Sequence, residues 1–86
     1  MTDDKSQRPT AEIIAEGKRL HRELHPLARR YGQSMVAISL AYWAVAGSSE
    51  ADIPARLRKV MVREGIPLDR ADELLDDCWA VMRRLA

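Results

Sequence analysis

The chain has 86 residues, 47% apolar and 31% charged, with a formal net charge of +1 at pH 7. That length makes one domain, and the apolar content excludes a disordered chain. The near-zero charge excludes an overall polyanion-binding bias, and a single cysteine excludes an internal disulfide.

Residues 1–9 (MTDDKSQRP) are polar and are expected to form a flexible N-terminal tail ahead of a single helical domain at 10–86. They have no apolar core of the kind a signal peptide needs, so the expected location is cytoplasmic. Thr10 is placed to start a helix whose apolar positions are Ile13, Gly17, Leu20 and Leu24, at spacings of four, three and four. Gly17 falls on that inner face and predicts close packing there, at a cost of about 1 kcal/mol against Ala. Pro26 interrupts, although Leu27 and Tyr31 keep the rhythm; the expectation is a kink, or a break into a short helix closed by Gly32.

The stretch 34–47, SMVAISLAYWAVAG, is the only long apolar run. Ser34 is a good N-cap, and Gly47 suits a positive-φ position after the helix. The uncharged segment between them is too short to span a bilayer, which takes about 20 apolar residues. It therefore reads as a central helix buried on most faces, around which the others pack. Ala37, Ala41 and Ala44 form a small face that admits a neighbouring helix.

Ser49 with Asp52 suggests a capping box, or Asp52 itself caps, with Pro54 in the first turn of a helix ending at Glu64 and stopped by Gly65. Its inner face is Ile53, Leu57, Val60 and Met61; its outer face is Arg56, Arg58, Lys59 and Arg63. Asp69 is the expected cap of a last helix running to Leu85. There Ala71, Leu75, Cys78, Met82 and Leu85 form a stripe that Leu74, Trp79 and Val81 widen. Its acidic start and its basic end at Arg83 and Arg84 complement the helix dipole. The acids of its first turns are free to meet basic helices of the same chain or of a partner. The predicted fold is all-α: a compact bundle of four or five short helices around the central helix at about 34–47.

Three constellations bear on function. Ala28 and Gly32 stand four apart, Ser34 follows, and Ile38 lies six beyond Gly32. This spacing resembles the helix-turn-helix family over about a dozen residues, and the resemblance implies a DNA-binding corner at 27–46. The second helix of that corner would present Met35, Val36, Ala37, Ser39 and Leu40, which include no cation and no amide side chain for base readout. The basic helix at 54–64 supplies a second route to nucleic acid. The DNA-binding alternative therefore rests on Arg29, Arg30, Arg56, Arg58 and Lys59. His21 and His25, four apart, have metal-ligand spacing, but Glu23 between them does not make the H-E-x-x-H arrangement, and Cys78 lies on an apolar stripe; no metal is expected.

No glycine-rich phosphate loop and no nucleophile–base spacing is present. Ser48 and Ser49 read as cap and turn residues, and the adjacent Asp76 and Asp77 diverge on a helix. The expectation is a non-enzymatic interaction or regulatory protein without a cofactor, self-associating as a homodimer and binding another protein. Arg56, Lys59 and Arg63 are its candidate contacts for an acidic partner surface; Leu75, Trp79 and Met82 are candidates for a helical seam.

Overall fold

The computed structural model describes residues 10–86. The tail expected at 1–9 lies outside the described residues. Four α-helices follow in order: α1 Thr10–Tyr31, α2 Met35–Ala46, α3 Ile53–Glu64 and α4 Ala71–Leu85, with a 3-10 turn at Leu68–Arg70 before α4. No strand occurs among the described residues. The all-α bundle read from the sequence is the observed fold.

α2 touches all three other helices, and α1 and α3 make no close backbone contact with each other. Its core side chains are Ala37, Ile38, Ala41, Tyr42 and Val45. They meet Leu24, Leu27, Ala28 and Tyr31 of α1, Ile53, Leu57 and Met61 of α3, and Leu74, Cys78 and Val81 of α4 in one cluster. The burial expected on most faces is incomplete, however. Val36 and Trp43 are 66% and 57% exposed, because three neighbours cannot cover every side of a helix that is apolar all round.

The helix ends follow local chemistry. Ser34 Oγ accepts the Ala37 amide at 3.1 Å, as an N-cap should. At the end of α1, Gly32 takes φ +64°, and the amides of Gly32 and Gln33 bond back to Arg29 and Ala28. At the end of α3, Gly65 takes φ +76° with the same pair of bonds, to Val62 and Met61. Both are Schellman closures, in which a residue without Cβ enters the left-handed region cheaply.

Gly47 is different from the expectation: its φ is −94°, open to any residue. Its amide completes an ordinary helical bond to Trp43, and the Ser48 hydroxyl donates to the Ala44 carbonyl at 2.6 Å, so no left-handed turn is needed to satisfy the end. Glycine is favoured there because a Cβ would stand 3.0 Å from the Trp43 carbonyl oxygen.

Two expected caps are not made. Asp52 precedes α3 but caps no amide; its carboxylate accepts the Ser49 hydroxyl instead, at 2.8 Å. Asp69 sits inside the 3-10 turn, and Arg70 occupies the position before α4, because that turn already bonds the Arg70 and Ala71 amides to Pro67 and Leu68.

α1 runs unbroken through Pro26, which is exposed, as is Arg22, the residue whose carbonyl loses its partner. Leu24, Leu27, Ala28 and Tyr31 are buried on the opposite side and hold the helix across the missing bond. The break considered at Pro26 is thus absent. The 22 residues of α1 span about 33 Å, whereas the 12 of α2 span about 18 Å. The first half of α1 therefore overhangs the bundle. Ile13 is 47% exposed, and nothing lies within 4 Å of a Cβ built on Gly17. The close packing expected at Gly17 does not occur, because α1 outruns the helix it packs on.

Candidate functional site

α3 buries Ile53, Leu57 and Met61, and this sets the direction of its other side chains. Arg56, Lys59 and Arg63, at spacings of three and four, fall along one flank. That flank faces the uncovered side of α2. Together with Leu40, Trp43, Ala44 and Val60 the three cations line a groove of about 430 Å³. Arg63 Nε is paired with its neighbour Glu64 at 3.2 Å, and among the described residues Arg56 and Lys59 make no salt bridge. The groove thus has an apolar floor, an aromatic wall and a basic wall.

Trp43 is the ridge of this surface. Its ring meets the buried Tyr42 edge to face, with centroids 5.3 Å apart and planes at 78°. On its other side a second groove, of about 420 Å³, lies between the overhang of α1 and the ends of α2 and α4, lined by Ile13, Gly17, Leu20, Tyr42, Trp43 and Leu85 among others. Sequence reading placed Trp43 in an all-apolar helix and missed its exposure. The spacing of Val36, Leu40 and Trp43, four and three, marks a single stripe, but uniform hydrophobicity gives no sign of which stripe faces out.

The other candidate residues are dispersed. Arg30 Nη1 donates to both carboxylate oxygens of Asp77, at 3.2 and 3.0 Å, and its Nη2 donates to Glu73 at 3.0 Å. Arg70 Nε also binds Glu73, at 3.2 Å, and its guanidinium lies 4.2 Å from the Tyr31 ring centroid. Arg70, with Arg30 beside it, holds the Glu73 carboxyl below its ordinary range, and Asp77 foremost stabilises the Arg30 cation. The acidic start of α4 therefore meets the basic end of α1 of its own chain. Exposed pairs of this kind contribute at most about 1 kcal/mol each, so the network orients α4 more than it stabilises it.

This network takes Arg30 out of the set expected to contact DNA. Arg29 is exposed, and Arg58 lies off the groove on the other flank of α3, so the five residues of that set form no common surface. The helix-turn-helix-like corner is present as geometry: Ala28 and Ile38 are buried and Gly32 makes the turn. Of the side chains assigned to its reading face, Ala37 is buried.

On α4 the deepest residues are Leu74, Cys78 and Val81, while Leu75, Trp79 and Met82 pack half-buried beside them. His21 and His25 are exposed, with ring centroids 6.0 Å apart; Cys78 is fully buried, its thiol pushed up to about 12 by burial and then by Asp77. No group of three metal-ligating side chains occurs among the described residues. No helix among them is long and apolar enough to cross a membrane.

No protein-family model, curated protein or solved structure matches the chain. What the fold and the surface define is a small all-α domain with an apolar groove walled by three cations and a tryptophan.

Proposed function

We propose that this chain is a small, non-enzymatic interaction and regulatory protein that self-associates and binds another protein through the groove beside Trp43. One observation carries the reading: Arg56, Lys59 and Arg63 stand over the apolar floor of Leu40, Ala44 and Val60. An apolar floor takes the nonpolar side of an amphipathic helix, and the cations take its carboxylates. The proposed compartment is the cytoplasm, where a lone thiol such as Cys78 stays reduced.

The test compares two charge reversals on neighbouring residues of α3. Lys59→Glu alters the groove; Arg58→Glu makes the same change in charge on the opposite flank. The probes are a labelled amphipathic helical peptide with glutamates along one edge and a labelled mixed-sequence DNA duplex, read by fluorescence anisotropy. The reading expects the peptide to bind, Lys59→Glu to abolish binding and Arg58→Glu to leave it within about twofold. Binding of the duplex alone, weakening steeply with salt, replaces this reading with the helix-turn-helix alternative, whose supporting observation is the turn at Gly32.

A further inference from the structure

The groove is basic, and the same chain carries a surface of opposite character. Glu73 and Asp77 are taken by Arg30, Arg70 and Tyr31 on the flank of α4 that faces α1. Asp69, Asp72 and Asp76 point the other way: all three are exposed, and none makes a hydrogen bond or salt bridge among the described residues. Leu68, 50% exposed, lies beside them at the foot of α4. Asp69, Asp72 and Asp76 are spaced three and four, as are Arg56, Lys59 and Arg63. The cations extend about 10 Å along α3; Asp72 and Asp76 lie one turn apart on α4, and Asp69 precedes them in the 3-10 turn. Aligned in the same direction, three carboxylates meet three cations, with Leu68 available to the apolar floor beside Trp43.

We infer that the occupant of the groove in the self-associated form is the acidic strip of the 3-10 turn and the first turns of α4 from a second copy of this chain. The inference rests on the proposed interaction function and adds the partner surface. Intramolecular pairing has consumed Glu73 and Asp77 and left Asp69, Asp72 and Asp76, a strip whose sign and spacing match the groove. A two-fold pair uses each strip and each groove once and closes, leaving no complementary surface for further growth. A domain of this length buries only about 60–65% of its unfolded surface on its own, so covering the Val36–Leu40–Trp43 stripe adds burial the monomer lacks.

Sedimentation velocity on the full chain, across micromolar to millimolar concentrations and at low and high salt, tests this with two charge-reversed variants. Arg56→Glu/Lys59→Glu/Arg63→Glu makes both surfaces acidic; Asp69→Lys/Asp72→Lys/Asp76→Lys makes both basic. The wild type is expected to dimerise, more weakly at high salt. Each variant alone is expected to be monomeric, with a dissociation constant raised at least about tenfold, and an equimolar mixture is expected to dimerise again. Circular dichroism checks the fold; if either triple variant unfolds, Lys59→Glu and Asp72→Lys are read in the same way. A wild type monomeric throughout, a variant that still self-associates, or a mixture that stays monomeric overturns the inference. Acidic-peptide binding by a monomeric wild type leaves binding of another protein through the groove standing, while self-association and this inference fall.

Discussion

The Tyr31 hydroxyl donates to Asp77 Oδ2 at 2.6 Å, tying the last turn of α1 to the middle of α4. Tyr31 is buried, and the carboxylate it reaches also accepts from Arg30. Tyr31→Phe keeps the ring under Arg70 and removes only the bond. The expected loss of stability is about 1.5–3 kcal/mol, as for a hydrogen bond to a charged group, with helix content unchanged; urea denaturation followed by circular dichroism measures it.

Gly17→Ala reports on the overhang. A Cβ there meets nothing within 4 Å, so the substitution is expected to gain about 1 kcal/mol of helix stability in α1. Hydrogen exchange over residues 10–20 should slow. A loss of stability would mean that another surface packs closely on Gly17.

Pro26→Ala restores an amide to the exposed side of α1 where the Arg22 carbonyl now lacks a helical partner. The gain is expected to reach at most about 3 kcal/mol, less whatever proline's restriction of the unfolded chain contributes. Thermal denaturation decides its size.

The two tryptophans are expected to differ. Trp43 is exposed and Trp79 packs half-buried on the core. At concentrations where the chain is monomeric, Trp43→Ala should change stability by no more than about 0.5 kcal/mol, whereas Trp79→Ala should lower it measurably. In single-tryptophan variants, iodide should quench Trp43 more strongly than Trp79.

Alkaline pH should destabilise the fold in a defined window. Burial first, and then the charge of Asp77, pushes the Cys78 thiol up from 9.0 to about 12. Tyr31 is raised above 10.0 by burial and by its bond to Asp77, and Tyr42 by burial and then Cys78. For all three groups the unfolded chain releases its proton at lower pH than the folded one. Their stabilisation is therefore complete below about pH 9 and is lost as pH rises through the folded values. Urea midpoints should hold from pH 7 to 8 and fall above pH 9, and at pH 8 alkylation of Cys78 should proceed only as fast as unfolding.

The sequence by itself determined the helices and much of the basic wall. Ser34, Gly32 and Gly65 act within one turn of their own position, and such local bonds are readable from spacing. Arg56, Lys59 and Arg63 were legible for the same reason, since three and four residues are one turn of helix. Asp52 and Asp69 were misread as caps because the Asp52 carboxylate accepts the Ser49 hydroxyl in place of a helix amide, and a 3-10 turn bonds the amides at the start of α4 without the Asp69 side chain.

Only the tertiary structure decided which stripe of α2 faces out, that α1 outruns its neighbour, and that Arg30 is bound to Glu73 and Asp77 while Arg56 and Lys59 are not. A uniformly apolar helix carries no directional signal in its own residues. The direction comes from where α1, α3 and α4 leave it uncovered, and that depends on contacts between residues far apart in the chain. Trp43 therefore became a wall of the groove through the packing of its neighbours.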